Sequence, residues 1–475
     1  MTDPVFVALD QGGHATRASA YTASGELEGA ALVTIATQRN ALGHVEHDAD
    51  EIVASARTAL TELAHLVPVE RWAAAGIAVQ RSSIACWDAG GGRALAPVIS
   101  WQDARGAAWL RGIGRRAADV QRLTGLTLSP HYGASKLRWC LDHLPEVRTA
   151  AAQSRLRAGP LASYLLHRLL EERPCLADAS TAARTLLWSP FERDWSDELL
   201  ELFGIPRAIL PRATGTQHAF GTLACDGRQL PLVVCNGDQS VVPFAAGALD
   251  FDAAYVNLGT GAFVLRPTSD ALRAPPLLTS VIRADDEHFD FVLEGSVNGA
   301  GAALDWLERH QGAAASRLLG LLAGADLHDE QAPFFLNGVA GLASPFWRPD
   351  FESRFVGEGT DLQLCRAVLE SVAFLIKANL DEMDRHRPTA ARLVVSGGLA
   401  ENRLLCRMLA CLAESPVDRG SDREATSRGL AFLVAGSPAD FRGPAFERFE
   451  PEHDQRLLAR YLKWLALMRE GANSA

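Results

Sequence analysis

The chain has 475 residues, enough for two or three domains with sizeable cores, and its 48% hydrophobic and 22% charged content is ordinary for a soluble globular protein. A formal net charge of -11 argues against a nucleic-acid footprint, and basic pairs such as Arg115-Arg116 sit beside acids and read as solvated faces. The N-terminus lacks the pattern of a signal peptide, no apolar run approaches a membrane span, and the eight cysteines form no Cys-x-x-Cys pair, which predicts reduced cysteines in a cytoplasmic protein that uses neither membrane nor nucleic acid.

Residues 5–9 form a short apolar strand that runs into Asp10-Gln11-Gly12-Gly13, and residues 16–22 alternate as a returning strand. Asp10 stands at the mouth of a glycine turn where a backbone can approach a ligand closely, although many such turns are plain hairpins. A third strand follows Gly25, and residues 48–66 have helical periodicity with acids at the start. Residues 73–79 read as a buried strand ending at Gln80-Arg81-Ser82, and residues 83–88 as another. Val98-Ile99-Ser100 leads into Trp101-Gln102-Asp103-Ala104-Arg105, a grouping that suits a small polar ligand, or equally a core-capping Trp beside a surface ion pair. Helices are predicted over 104–170 with a break at 129–133, where His131 alone reads as structural. Residues 188–195 read as a loop and 196–204 as a short helix.

The stretch 230–247 holds a buried strand closed by the turn signal Asn236-Gly237, then Asp238 and Gln239. A carboxylate between a buried strand and an apolar segment is costly to desolvate, so Asp238 is either a helix N-cap or a catalytic base. Residues 253–258, Gly259-Thr260-Gly261 and 262–266 repeat the strand, glycine turn and strand of the N-terminus about half a chain later. The repeat predicts a duplicated fold with one phosphate-cradling hairpin per half, facing across a cleft, and divides the chain into 1–246 and 247–475. A small-residue segment ending at Gly301 then enters a helix containing Trp306, residues 364–383 form a long helix, and a strand over 393–396 reaches Gly397-Gly398 before the helix 402–412. That last junction offers amides to a phosphate or a flat bed to a nucleobase. An amphipathic helix over 453–469 reads as packing.

In order, Leu9-Asp10-Gln11-Gly12, Gly43-His44-Val45-Glu46-His47-Asp48, Gln80-Arg81, Trp101-Gln102-Asp103, Lys136-Leu137-Arg138-Trp139, residues 178–184, Gly237-Asp238-Gln239, Gly259-Thr260-Gly261, Pro345-Phe346-Trp347, residues 366–373 and Gly397-Gly398 with Asn402 form a set. The set resembles the FGGY carbohydrate kinases of the actin-like ATPase superfamily, with the glycerol kinases as the nearest members. The resemblance implies an α/β fold of duplicated ribonuclease-H-like domains around a central cleft, the acceptor on residues 1–246 and ATP mainly on 247–475. It implies transfer of phosphate from ATP, with Mg²⁺, to a hydroxyl of a small sugar or polyol. Asp238 matches the general base and Asp10 the residue that helps hold Mg²⁺. Arg81, Trp101, Gln239 and Phe263 match polyol contacts, and Ser82 and His131 occupy positions where the family carries Glu and Tyr. Gly12, Thr16 and Arg17 match the first phosphate loop, Gly259, Thr260, Gly261 and Gly301 the second phosphate site, and Gly397, Gly398 and Asn402 the adenosine site.

Three departures stand out. Gly13-His14-Ala15 replaces hydroxyl residues of the first phosphate loop, with a hydroxyl returning at Thr16. Ser82 replaces the acid after Arg81, and His131 replaces a tyrosine, with Tyr132 adjacent. The last two predict a roomier pocket and either an acceptor other than glycerol or glycerol bound with poor affinity, since each lost polar contact is worth about 1–3 kcal/mol. The segment Asp226-Gly227-Arg228 is too short for the sugar-bisphosphate effector loop of some relatives. The altered first loop motivates an alternative, a catalytically impaired nucleotide- and sugar-binding sensor, against which the presence of both Asp10 and Asp238 counts. Family members often form dimers, and a homodimer is compatible with the resemblance although no stretch of sequence marks an interface.

Overall fold

The computed structural model describes residues 3–312, 314–322, 326–327, 329–420 and 424–473. Apolar alternation at the N-terminus produces β1 (Val5–Gln11) and β2 (Ala15–Thr22), an antiparallel hairpin that sets Asp10 opposite Arg17 and Gln11 opposite Thr16. β3 (Leu27–Thr34) forms the edge, and α1 (Ala49–Leu66) is started by Asp48, whose side chain accepts from the Asp50 and Glu51 amides. β4 (Trp72–Val79) runs parallel to β1, and β5 (Ile84–Asp88) leaves it for a smaller sheet that shares its core with α2 (Gly133–His143). β6 (Gln217–Cys225) and β7 (Arg228–Gly237) form a hairpin, and α3 (Asp238–Val241) follows β7 directly.

The second half repeats the plan. β8 (Ala253–Leu258) and β9 (Ala262–Thr268) form a hairpin, joined by β10 (Leu278–Ala284) and β11 (Phe289–Val297). α4 (Gly301–Gln311) and α5 (Asp361–Met383) precede β12 (Arg392–Ser396), then α6 (Arg403–Ala413), β13 (Val417–Gly420), α7 (Ala425–Val434), β14 (Phe446–Phe449) and α8 (Gln455–Asn473). The first sheet has the order β6-β7-β4-β1-β2-β3 and the second β10-β11-β9-β8-β12-β13-β14. In each, a glycine-turn hairpin is flanked by two strands parallel to its first member, so the duplicated α/β architecture is present.

The halves share apolar surface. α7 packs onto the first sheet through Leu430 and Val434, where a Cβ on Gly76 would lie 2.5 Å from Val434 Cγ2. Leu278, Val281 and Phe291 of the β10–β11 hairpin join the core of the first-half helices.

Three details differ from the sequence reading. The predicted helical stretch 104–170 is interrupted by a strand, Leu156–Pro160, antiparallel to β5. Residues 188–195 form a small two-stranded ribbon. Asn236-Gly237 is not a turn: the strand stays extended through Gly237, and the buried Asn236 side chain donates from Nδ2 to Ile282 O at 2.7 Å. All eight cysteines are free, and among the described residues no helix is long and apolar enough to cross a membrane.

Candidate active site

Asp238 is the first residue of α3, and the N-cap position belongs to Gly237. A Cβ on Gly237 would lie 2.6 Å from Arg81 Cγ, so glycine is what lets the arginine lie along the strand end. The Asp238 carboxylate accepts from the Gln239 amide at 2.7 Å and from the Arg81 amide. Burial pushes this carboxyl above the usual range, and the charge of Arg81 opposes the rise.

Asp10 stands near it at the end of β1. Burial first, and the negative charge of Asp238 second, push its carboxyl up to about 7, with Arg17 opposing. Among the described residues no group of three or more His, Cys, Asp or Glu gathers as a metal site. A pair of carboxylates is nevertheless what Mg²⁺ requires of a protein when phosphate oxygens and water complete its shell. The mutual repulsion of Asp10 and Asp238 is the feature that fits a dication.

Arg81 leads into a buried ion cluster built from both halves. Its Nη1 lies 3.3 Å from Glu294 Oε2, and Arg184 donates to the same oxygen. Ser280 accepts from Arg184 at 2.8 Å and donates to Glu294 at 3.1 Å, while the Tyr132 phenol is hydrogen-bonded to Arg184. Burial alone would raise the Glu294 carboxyl, but the two guanidinium groups hold it below the usual range. Glu294 and Ser280 come from β11 and β10, whereas Arg81, Tyr132 and Arg184 come from the first half. It is Tyr132, not His131, whose phenol reaches inward; His131 is exposed, with Nδ1 3.3 Å from Trp101 O.

Ser82, Trp101 and His131 line one rim. Ser82 takes a left-handed backbone with φ of 66°, and the indole of Trp101 is 44% exposed. Behind them Asp103, Glu46 and Trp139 act as scaffold: Arg105 bonds Asp103 and Glu46 and lies over the Trp139 ring at 4.6 Å.

The first glycine turn is tight, with Gly12 N donating to Ala15 O at 2.9 Å and Gly12 O accepting from Gln80 Nε2 at 3.2 Å. A Cβ on Gly13 would touch Trp101 Nε1 at 3.5 Å. Thr16 needs correction as a phosphate-loop hydroxyl: strand alternation turns it away from Arg17 and Asp10, and its buried Oγ1 lies 2.7 Å from Ser55 Oγ. Arg17 stays on the Asp10 side and pairs with Glu424.

In the second turn Gly259 N donates to Gly261 O at 2.9 Å, and the start of α4 docks on it, Gly301 N donating to Gly259 O at 3.0 Å. Gly397 has φ of 92° and presses against Leu258, whereas a Cβ on Gly398 would meet nothing within 4 Å. Asn402 caps α6, its Oδ1 accepting from the Leu405 amide at 2.9 Å. Gln239 lines a cleft between the halves with Asn257 and Ser396. Phe263 lies on β9 on the same face as Glu294, two residues from Leu265, which pairs with Glu294.

This constellation has relatives. The profile described as the FGGY family of carbohydrate kinases, N-terminal domain, matches residues 5–257, and that of the C-terminal domain matches residues 254–437. The chain belongs to the FGGY family of carbohydrate kinases. It is 32% identical to a glycerol kinase of Geobacter sp. (strain M21) over 95% of both chains, and 34% identical to one of Alkalilimnicola ehrlichii over 90% of this chain and 89% of that one. Its fold matches a Plasmodium falciparum glycerol kinase with ADP at a TM-score of 0.90 and 21% identity, covering 99% of this chain and 98% of that one. A Brucella ovis xylulose kinase matches at 0.86 and 22%, covering 98% of each. As an FGGY kinase the protein is an ATP-dependent phosphotransferase acting on a small carbohydrate or polyol.

Sequence reasoning passed over the shared role of Arg184 and Glu294 in this FGGY kinase. The available signal was Glu294 itself, a carboxylate that follows the apolar run Phe291–Leu293 within the strand Phe289–Val297.

Proposed function

We propose that Asp238 is the general base of the transfer, taking the proton of an acceptor hydroxyl as its oxygen bonds the γ-phosphorus and the bond to ADP breaks. The carrying observation is the position of Asp238 between Arg81 and Asp10, with a carboxyl raised by burial. A raised carboxyl is a better base near neutral pH, and the loose transition state asks mainly for alignment and charge neutralisation. Arg81, Ser82, Trp101, His131, Gln239 and Phe263 orient the acceptor, with residues 1–246 as its domain. Residues 247–475 hold the nucleotide, through Gly259, Thr260, Gly261 and Gly301 at its phosphates and Gly397, Gly398 and Asn402 at its adenosine; Gly12 and Arg17 complete the phosphate side. Asp10 would hold Mg²⁺, which when bound neutralises charge on the transferring phosphate.

The glycerol kinases and xylulose kinases among its relatives bracket the acceptor. With Ser82 in place of an acid and His131 at the open rim, the pocket reads fewer hydroxyls closely and takes a C4–C6 polyol or ketose in preference to glycerol. An ADP-release screen of such acceptors with Mg·ATP tests both claims. Asp238→Asn should lower acceptor-dependent turnover by roughly 10²–10⁴-fold while ATP still binds. Glycerol as clearly the best acceptor sinks the specificity claim. If neither wild type nor Asp238→Asn turns over with any acceptor, the second reading holds, a nucleotide- and sugar-binding sensor, which the loss of hydroxyls from Gly13-His14-Ala15 favours.

A further inference from the structure

We propose that Lys136 is the positioning residue of the acceptor pocket, a single ammonium that fixes the Ser82, Trp101 and His131 loops relative to one another. Lys136 lies in the first turn of α2 and is fully buried. Its Nζ donates to Ser82 O at 3.1 Å, Ser100 O at 2.8 Å and His131 O at 2.6 Å. The three donors of the ammonium are thereby used in full. The three acceptors belong to three separate segments: the loop after β4, the loop before Trp101 and the loop entering α2. Each carries one residue assigned to the acceptor, so the inference rests on the acceptor reading above.

Two further observations support it. Ser82 is held at φ of 66°, a conformation that a non-glycine residue keeps only when its surroundings impose it, and Lys136 holds its carbonyl. Among the described residues the ammonium also has no ion pair to account for its burial. Asp103 is the nearest acid, but its carboxylate already accepts from the Val45 amide at 2.7 Å and from the Arg105 side chain at 2.9 and 2.8 Å. A buried charge met only by backbone carbonyls is costly where an apolar residue could fill the same volume. The arrangement makes sense as a pin for three segments.

Its three bonds all fall on the acceptor side. The phosphate loop has further ties of its own, from Gln80 to Gln11 and Gly12 O, each at 3.2 Å. Burial pushes the Lys136 ammonium down to about 7, Asp103 opposing and Arg105 reinforcing. Above that pH a neutral amine keeps only two donors for three carbonyls. His131, which also faces Lys136, is held below the usual histidine range and titrates on the other side of the window.

The test compares wild type with Lys136→Met and Lys136→Gln, which offer no donor and two donors. Acceptor KM should rise about tenfold or more in Lys136→Met and by less in Lys136→Gln, with ATP KM and acceptor-independent ADP release within about twofold of wild type. Wild-type acceptor KM should climb as pH rises above about 7, and that slope should vanish in Lys136→Met. In full-length protein carrying 5-fluorotryptophan, the Trp101 resonance, assigned by its loss in Trp101→Phe, should shift or broaden while that of Trp464 in the second half stays. An unmoved Trp101 resonance overturns the proposal. So does a parallel loss of ATP affinity and acceptor-independent ADP release, the mark of general destabilisation. If wild type uses no acceptor, the kinase reading fails, and the Trp101 resonance alone decides the role of Lys136. Should Lys136→Met not fold, Lys136→Gln carries the same comparison.

Discussion

Asp10 is held in place at a cost that a bound cation would relieve. Burial and the neighbouring Asp238 raise its carboxyl from the ordinary aspartate range to about 7. Between those two pH values the folded chain binds a proton that the unfolded chain has released, so the stability of the Mg²⁺-free protein falls as pH rises through the window. Asp10→Asn removes the titration. Its thermal midpoint in EDTA should match wild type near pH 4 and exceed it at pH 8 by roughly 2 °C or more, while Mg·ATP-dependent turnover is lost. An equal effect of the substitution at both pH values would show that the Asp10 carboxyl is not raised in the folded chain. Asp10 and Asp238 could be proposed from the sequence because each follows an apolar run, where a carboxylate needs a reason to be, and the fold sets the two near each other. Thr16 was misread because motif position says nothing about which face of β2 a side chain takes. The Arg184–Glu294 pair was illegible because its members are 110 residues apart and meet only when the halves assemble.

The hairpins β1–β2 and β8–β9 could be read from glycine turns between alternating strands, since both signals are local. The strand Leu156–Pro160 was missed because Gly159 and Pro160 mask it, and only pairing with β5 makes it a strand. The seat of Asp238 is also a product of assembly. α3 is a single turn of helix and cannot hold its place alone. α7, nearly two hundred residues later, packs against it so closely that a Cβ on Gly429 would lie 2.0 Å from Val241 O. That contact is backbone, so it cannot be relieved by turning a side chain. Gly429→Ala should therefore push α3 away from β7, cost about 1–3 kcal/mol of stability and lower kcat more than either KM. Denaturant unfolding and steady-state kinetics on the same preparation measure both; unchanged kcat with reduced stability would show that Asp238 is placed by β7 alone.

The ion cluster joins the halves at the point where the acceptor is expected to sit. Glu294, on β11 of the second sheet, is 1% exposed and neutralises Arg81 and Arg184 of the first half. Replacing it leaves two buried guanidinium groups in search of a carboxylate, and the nearest is Asp238, whose ionised form Arg81 already favours. Glu294→Gln keeps the shape and removes the charge. Losing one partner of a buried pair costs about 3–5 kcal/mol, enough to weaken the junction while each half keeps its own core. Two consequences should appear together. Calorimetry should resolve two unfolding transitions where wild type, with shared cores and an intact cluster, shows one. The acid limb of kcat should move to lower pH with a smaller plateau, because an Asp238 drawn toward Arg81 ionises more easily and accepts a proton less readily. A lower midpoint with one transition and an unshifted acid limb would make Glu294 a stability element without influence on the proposed base, Asp238. A shifted limb without a stability loss would mean that Arg184 and Tyr132 suffice to hold the junction, and that Glu294 acts only by keeping Arg81 from Asp238.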